Sequence, residues 1–112
     1  MDCPKCSATM ELVDFRGIEI DRCTRCFGLW FDRMEAETLR ELEGAGEIDI
    51  GREAAAELND QLFVECPKCY CILDQNTEQG IKYEFCLTCH GTFFDAGEFR
   101  DYLALASKPK TA

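Results

Sequence analysis

The residues of this chain that could do chemistry are eight cysteines in four C-x-x-C pairs. The pairs form two sets, with 16 residues between the pairs of each set, and the second set lies 63 residues after the first without a gap. Two such pairs can complete the tetrahedral shell of four sulfurs that Zn²⁺ and iron accept. The sequence therefore predicts two metal sites, one from each set: Cys3, Cys6, Cys23 and Cys26, and Cys66, Cys69, Cys86 and Cys89.

The predicted metal is zinc, with two ions per chain, and its role is structural. Four protein sulfurs fill the tetrahedron and leave no open position for water or substrate, so the chain is not expected to be an enzyme. Iron in a rubredoxin-like electron-transfer site and structural disulfides are the alternatives. An interleaved arrangement, in which Cys3 and Cys6 share a metal with Cys86 and Cys89, would close a longer loop at a greater entropy cost. Pairing within each set is therefore favoured.

Two further residues near the second set have chemical potential. Cys71 is the ninth cysteine and corresponds to Ala8 of the first copy, so it is expected to be a small buried residue, with a reactive thiol or a spare ligand as alternatives. His90 follows Cys89 and completes a C-x-x-C-H sequence, which can attach haem. The first copy has Phe27 at this position, so a partly exposed histidine beside the site is favoured over a metal ligand or haem attachment.

The length of the chain limits what a hydrophobic core can do. The 112 residues correspond to one small domain or two very small ones, and the repeat favours two. A unit of about 40 residues buries too little apolar surface to fold by itself, so a metal must supply part of the folding free energy. Cys3 leaves no room for a secretory signal, and there is no apolar run of about 20 residues. A cytoplasmic location with reduced thiols is expected.

The charge of the chain bears on its partners. There are 22 acidic and 12 basic residues, which give a formal net charge of −10, and this charge repels phosphate backbones. The first copy nevertheless carries a group of basic residues near aromatic ones, which is the basis of a nucleic-acid alternative: Lys5, Arg16, Arg22, Arg25, Arg33 and Arg40. The same stretch is richer in acidic residues, so a solvated face of mixed charge is favoured.

Each copy has the pattern of a β-hairpin followed by a helix. Apolar and polar residues alternate before and after a turn at 14–17, and Asp32 with Glu35 has the spacing of a capping box, which predicts a helix over 33–43. In the second copy, Ile72 and Leu73 replace the first strand, and the closing helix is expected over 96–106. The aromatic pairs Trp30–Phe31 and Phe93–Phe94 are expected to form the core of each copy, or a protein-binding patch if exposed.

These patterns predict a small, metal-stabilised α+β fold with two tandem zinc ribbons. We expect ribbon 1 over 1–44, a helical connector over 45–62, ribbon 2 over 63–106 and a disordered tail over 107–112. Within the connector, 47–50 could be a short extended piece, and the helix formers of 52–62 predict a helix.

Each copy also resembles the transcription-factor-IIB-type zinc-finger family, whose pattern is C-P-x-C, a hairpin, C-x-x-C-x-G-x-W-[FL]-D-x-x-E and a helix. The first copy matches it with Gly28, Trp30, Phe31, Asp32 and Glu35 after its cysteines, and the second with Gly91, Phe93, Phe94, Asp95 and Glu98. The resemblance implies zinc at the eight cysteines and offers no catalytic residue. Phe27 and His90 stand where the family usually has a second glycine, which predicts a slightly different backbone path there.

The expected function is that of a small, non-catalytic interaction module. A protein partner of basic or mixed charge is favoured, with a link to transcription as a further expectation. Nucleic-acid binding through the Arg-rich first ribbon and electron transfer through iron are the alternatives. Neither the partner nor the oligomeric state can be deduced from these patterns.

Overall fold

A computed structural model describes residues 1–33, 35–51 and 64–107. These residues form a small α+β structure, an antiparallel sheet with few helices, as predicted. The elements in chain order are β1 (Met10–Phe15), β2 (Ile18–Cys23), β3 (Leu29–Phe31), α1 (Glu35–Arg40), a 3₁₀ segment (Ala45–Ile48), β4 (Asp74–Glu78), β5 (Ile81–Phe85), β6 (Thr92–Phe94) and α2 (Glu98–Ser107). The predicted connector helix at 52–62 lies outside the described residues, as do residues 108–112 of the tail.

The six strands of the described residues belong to one sheet in the order β1-β2-β3-β6-β5-β4. Each copy contributes a hairpin whose two-residue turn has positive φ at both positions, 52° and 87° at Arg16 and Gly17, and 50° and 88° at Gln79 and Gly80. Such turns match the right-handed twist of the strands that they join. The register from Phe15↔Ile18 to Met10↔Cys23 then brings the second cysteine pair back beside the first.

The two copies meet at the centre of this sheet, where β3 pairs antiparallel with β6. Trp30 lies opposite Phe93, its own counterpart in the repeat, so the two copies are related by an approximate twofold axis through this pair. All four aromatic residues of the predicted pairs are buried. They therefore belong to a core that the two ribbons share, and they do not form the exposed binding patch that was the alternative.

The two faces of the sheet carry different layers because neighbouring residues of a strand point to opposite sides. The helices cover one face through an apolar cluster of Ile20, Leu29, Phe31, Ala36, Leu39, Ala45, Ile48, Ile81, Phe94, Phe99 and Tyr102. The other face carries the cysteine turns around Trp30 and Phe93. Both metal-site candidates are thus on the side of the sheet away from the helices.

Two helix predictions differ from the structure in their bounds. Helix α1 is limited to Glu35–Arg40, shorter than 33–43, although one of the two bonds of the predicted capping box is present, with the Asp32 N–H donating to Glu35 Oε1 over 2.8 Å; the Glu35 N–H donates to the backbone carbonyl of Asp32. The chain leaves the helix through turns that end at Gly44, whose φ is 83°. Helix α2 begins at Glu98 instead of 96, after Gly97 with φ 86°.

Two strand predictions are wrong. The extended piece suggested at 47–50 begins inside the 3₁₀ segment Ala45–Ile48, where the N–H groups of Glu47 and Asp49 bond to the carbonyls of Gly44 and Gly46, and the segment buries Ala45 and Ile48 in the core. In the second copy the first strand begins at Asp74, after Ile72 and Leu73. Leu73 is buried at the entry to the strand, and Ile72 forms only an isolated bridge.

A carboxylate from the segment after ribbon 1 anchors the helix of ribbon 2. Asp49 is buried, and its two carboxylate oxygens accept the backbone N–H groups of Gly97 (2.9 Å) and Arg100 (3.0 Å). These are donors of the first turn of a helix, which have no partner within the helix. The start of α2 therefore depends on a residue from outside the second repeat.

Candidate metal centres

Each C-x-x-C pair forms a tight turn of the same shape. The residue after the second cysteine has a left-handed backbone in all four turns, with φ of 66° at Ser7, 62° at Phe27, 62° at Tyr70 and 64° at His90. This conformation favours glycine, and none of the four residues is glycine. Phe27 and His90 thus adopt the backbone that glycine takes easily, at the position where the family usually has a glycine.

The turns bring the eight cysteines together in two groups of four, one within each ribbon, and not in the interleaved arrangement. Within a group all sulfurs lie within 4.8 Å of one another. The Sγ–Sγ distances include 3.7 Å for Cys3–Cys26 and 3.3 Å for Cys6–Cys23 in ribbon 1, and 3.8 Å for Cys66–Cys89 in ribbon 2. Four sulfurs about 2.3 Å from a central zinc are about 3.8 Å apart, whereas a disulfide requires about 2.0 Å. The groups fit a tetrahedral metal.

Backbone N–H groups point at the sulfurs that the metal would use. Cys23 Sγ accepts the N–H groups of Arg25 and Cys26, both at 3.3 Å, and Cys66 Sγ accepts those of Lys68 (3.4 Å) and Cys69 (3.3 Å). Donors at a sulfur stabilise the thiolate, which is the form that binds metal. The first cysteine of every pair is buried and the second half-buried, so each site lies just under the surface.

The thiol pKa values agree with this picture at one cysteine in each group. In ribbon 1, a hydrogen bond from the Cys26 thiol lowers the pKa of Cys3 to about 5. In ribbon 2, burial raises the pKa of Cys86, but backbone N–H bonds from Cys89 and Thr88 outweigh it and lower the pKa to about 7. The hydrogen bond with Cys3 raises the pKa of Cys26, and burial raises those of Cys6 and Cys66. Each group therefore gives up one proton readily, and a metal would displace the others as it binds.

The remaining two candidates lie outside these groups. Cys71 is exposed, so the prediction of a buried residue is wrong, and its sulfur lies 3.6 Å from Thr88 Oγ1. It follows the turn of Cys66 and Cys69 at a corner where the side chain points to solvent. His90 is exposed beside the site as predicted, with its ring against Phe85 at a centroid distance of 5.8 Å.

The sequence interpretation missed the role of the lysine in each Cys-Pro-Lys-Cys turn. Lys5, which was grouped with the basic residues of ribbon 1, is buried, and its Nζ contacts Glu84 and, at 2.6 Å, Asp95 of ribbon 2. Lys68 makes the corresponding contact at 2.6 Å with Asp32 of ribbon 1. The occurrence of Cys-Pro-Lys-Cys in both copies was the available signal, since nothing in a metal site itself requires the lysine.

Burial affects the acids around Lys5 strongly. It raises the pKa of Glu84 to about 7, against the opposing effect of Lys5. It also raises the pKa of Glu98 to about 8, with a further contribution from the charges of Asp95 and Glu84. The cluster therefore places one ammonium group among three acids in a largely buried space, and protonation of Glu98 relieves part of the negative charge near neutral pH.

The sheet, the helices and the two four-cysteine groups define a small metal-binding protein that consists of two zinc ribbons. Residues 2–42 match the family model described as transcription factor zinc-finger, of the TFIIB zinc-ribbon type. The family resemblance is thereby confirmed, and the four-cysteine group at 66–89 is consistent with a second copy. Comparison with curated proteins and with solved structures gives no match. Among the described residues, no helix is long and apolar enough to cross a membrane.

Proposed function

We propose that this protein is a non-catalytic zinc-binding module that binds a protein partner through the surface of its second ribbon. Zinc is supported by the family match and by eight thiols at tetrahedral spacing. The absence of catalysis is supported by the donor sets, since four sulfurs complete a tetrahedron and leave no position for a substrate. A reducing, cytoplasmic setting fits the proposal because it keeps the thiols available to the metal.

One observation carries the proposal of a protein partner. Tyr70, Ile72 and Leu87 are 73%, 51% and 66% exposed, and we call them the ribbon 2 patch. Tyr70 and Leu87 belong to the two cysteine turns of ribbon 2. Asp74 pairs with Phe85 at the end of the hairpin, and Ile72 and Leu87 each lie two residues beyond this pair, at the same end of ribbon 2. Large exposed apolar side chains grouped in this way mark interaction sites.

The repeat shows that the fold does not require this patch. The corresponding residues of ribbon 1 are Ser7, Thr9 and Thr24, all polar. The Thr24 hydroxyl donates to the Thr9 carbonyl over 2.7 Å, so the same hairpin corner is stable with hydrophilic side chains. Because one scaffold carries both versions, the apolar side chains of ribbon 2 are best explained by a contact with another molecule.

The surrounding charge indicates the chemistry of the partner. Two exposed acids lie beside Ile72: Glu65 pairs with it in an isolated β-bridge, and Asp74 follows it by two residues along the chain. The whole protein carries a net charge of −10. Filled four-thiolate zinc sites add further negative charge. An acidic surface around an apolar centre favours a basic partner surface with an apolar anchor, and it accelerates the encounter electrostatically.

The proposal is tested by giving ribbon 2 the surface of ribbon 1. The variant Tyr70→Ser, Ile72→Thr, Leu87→Thr carries the residues of ribbon 1 at the same positions. A matched control is Leu12→Gln, which removes an exposed apolar residue (68% exposed) and introduces the residue that ribbon 2 has there, Gln75. Each tagged, zinc-loaded protein would be used as bait, and the retained proteins would be identified and then titrated in purified form.

We expect a retained protein that binds the wild type and the Leu12→Gln control equally and loses at least about tenfold in affinity for the triple variant, as removal of a small apolar hot spot does. Its binding should weaken with added salt. Equal binding to the triple variant, or no protein retained by the wild type, would refute the proposal.

The alternatives have less support among the described residues. Two of the six basic residues proposed to bind nucleic acid through ribbon 1 are already engaged within the protein. Lys5 is buried, and Arg22 contacts Glu11 at 3.0 Å and the Ile48 carbonyl at 3.2 Å. An anisotropy titration with DNA at low salt would detect this binding, and added salt would abolish it. Elemental analysis and native mass spectrometry distinguish two zinc ions from iron, and a link to transcription would appear as a transcription protein among those retained by the wild type.

A further inference from the structure

We propose that the two metal sites are thermodynamically coupled, so that filling one raises the metal affinity of the other, and that the lysine within each Cys-Pro-Lys-Cys turn carries this coupling across the twofold axis. The inference rests on metal binding at both four-cysteine groups. It is independent of the protein partner proposed above and would survive the failure of that proposal.

The contact of Lys5 joins the two sites directly. Lys5 lies between Cys3 and Cys6, so the backbone that positions two ligands of site 1 also positions its ammonium group. That group contacts Glu84 and Asp95, and the three side chains are at most 2% exposed. Glu84 lies on β5 two residues before Cys86, a ligand of site 2. A displacement of the first turn therefore acts on the strand that leads into the second site.

The twofold axis produces the reciprocal contact in the other direction. Lys68 lies between Cys66 and Cys69 of site 2, and its Nζ is 2.6 Å from Asp32 Oδ1 of ribbon 1. Here both side chains are more than 40% exposed. Because water screens this second contact, Lys5 should carry the larger share of the coupling.

The close packing of the central strands reinforces these contacts. Gly28 of ribbon 1 lies against the ring of Phe93, and Gly91 of ribbon 2 lies against the ring of Trp30. A Cβ built at either glycine would approach the opposite ring to 2.3 Å or 2.1 Å. Both glycines follow the second cysteine turn of their ribbon, so the position of each turn depends on the other ribbon. Packing as tight as this transmits a displacement.

The physical reason for the coupling is the cost of an unpaired buried charge. Without metal, no ion holds the four cysteine side chains of site 1 together, and the turn around Lys5 loosens. Glu84 and Asp95 then lose their cation while still buried, which is much more costly than losing an exposed pair. Ribbon 2 is then destabilised, so site 2 binds metal more weakly while site 1 is empty. Because coupling is reciprocal, metal at site 2 raises the affinity of site 1 by the same factor. Couplings of this kind usually change affinity by about 5- to 150-fold.

The test is a titration of the reduced, metal-free chain with Zn²⁺, followed by native mass spectrometry of the species with no, one and two ions. For two independent sites of any affinities, the one-zinc species makes up about half or more of the chains at half-saturation, whereas a tenfold coupling between equal sites lowers it to about a quarter. We expect the wild type to show about a quarter or less. A one-zinc fraction of about half or more in the wild type that does not rise further when Lys5 is replaced would overturn the proposal.

Two variants identify the route. Lys5→Met removes the buried ammonium group, and Arg25→Met is its matched control, because Arg25 holds the same place in the other turn of site 1 and is exposed. We expect the one-zinc fraction to rise to about half in Lys5→Met and to stay at the wild-type value in Arg25→Met. If Lys5→Met keeps the wild-type distribution, or if both variants change alike, the lysine does not carry the coupling.

A second variant reaches the same contact from ribbon 2 in case Lys5→Met does not fold. Asp95→Asn keeps the shape of the acceptor, removes its charge and lies outside the metal ligands. It should also raise the one-zinc fraction, and an unchanged fraction would count against the proposal. The wild-type distribution needs no variant, so a one-zinc fraction clearly below half shows the coupling whichever variants fold.

Discussion

The contact of Gly91 with Trp30 leads to a sharp prediction, that Gly91→Ala destabilises the protein although glycine-to-alanine changes are usually mild. The added Cβ would lie 2.1 Å from Trp30 Cζ2, 2.7 Å from Cη2 and 2.9 Å from Cε2. Carbon atoms in contact are normally at least about 3.5 Å apart, so the ring or the strand must move by more than about 1 Å.

The ring has little room to move. Trp30 is completely buried, lies opposite Phe93 at the centre of the sheet, and donates its indole N–H to Asp32 Oδ1 over 3.2 Å. Overpacking of a core costs about 1–3 kcal/mol, and we expect about 3 kcal/mol here because the ring is enclosed on all sides. In a chain of this size, that corresponds to a fall in Tm of roughly 10 °C.

The assay is thermal unfolding of the zinc-loaded protein by circular dichroism, supported by the fluorescence of Trp30, the single tryptophan of the chain. The control is Gly46→Ala, whose Cβ would meet only Leu103 and Arg100 at 3.7 and 3.8 Å. This control should change the free energy of unfolding by less than about 1 kcal/mol, in either direction.

A double-mutant cycle tests whether the ring is the cause. In a Trp30→Leu background the added methyl group finds space, so Gly91→Ala should cost less than about 1 kcal/mol. The reasoning is refuted if Gly91→Ala is as mild as the control, or if it costs the same in both backgrounds.

Three further predictions concern the metal, the helix and the pH. Excess chelator should unfold the chain, because metal bound at two four-cysteine groups would supply much of the folding free energy; an unchanged circular dichroism spectrum after metal removal would contradict this. Asp49→Ala should lower the free energy of unfolding by about 1–2 kcal/mol in denaturant titrations, because it removes the two bonds that cap α2. The control is Asp101→Ala, a change at an exposed residue of the same helix, which should alter the free energy of unfolding by less than about 0.5 kcal/mol. Burial raises the pKa of Glu98 to about 8, so the folded state holds a proton that the unfolded state releases above about pH 4.3. The stability that depends on this proton falls steadily as the pH rises from about 4.3 to about 8 and changes no further above that, so Glu98→Gln should gain in Tm relative to the wild type between about pH 5 and pH 8, and parallel pH curves would exclude this role.

The sequence by itself determined the local parts of this protein. The C-x-x-C pairs, the hairpin turns and the capping box of Asp32 and Glu35 each depend on residues a few positions apart, and local geometry decides them. For that reason the hairpin of ribbon 1 agrees with its prediction, and the four cysteines of each group lie together as expected. The exact bounds of α1 and α2 were harder to predict from the sequence. Helix propensity alone would extend both helices, but the chain has positive φ at Gly44, after α1, and at Gly97, directly before α2.

The tertiary structure alone decided how the two copies combine. The repeat indicated two equal units in tandem, and only the pairing of β3 with β6 shows one sheet with a shared core. That pairing buries the aromatic residues. It also places Lys5, which was expected at the surface, in a buried contact with Asp95 of ribbon 2. It also places Asp49 at the start of a helix nearly 50 residues away.

The physical reason is that local patterns report which side chains can be buried but not what buries them. A ribbon of about 40 residues has too little apolar surface to enclose Trp30 or Phe93 by itself, so each must be covered by the other copy. The twofold contact satisfies both at once, and its geometry follows from packing between residues 63 positions apart, which no local spacing in the sequence encodes.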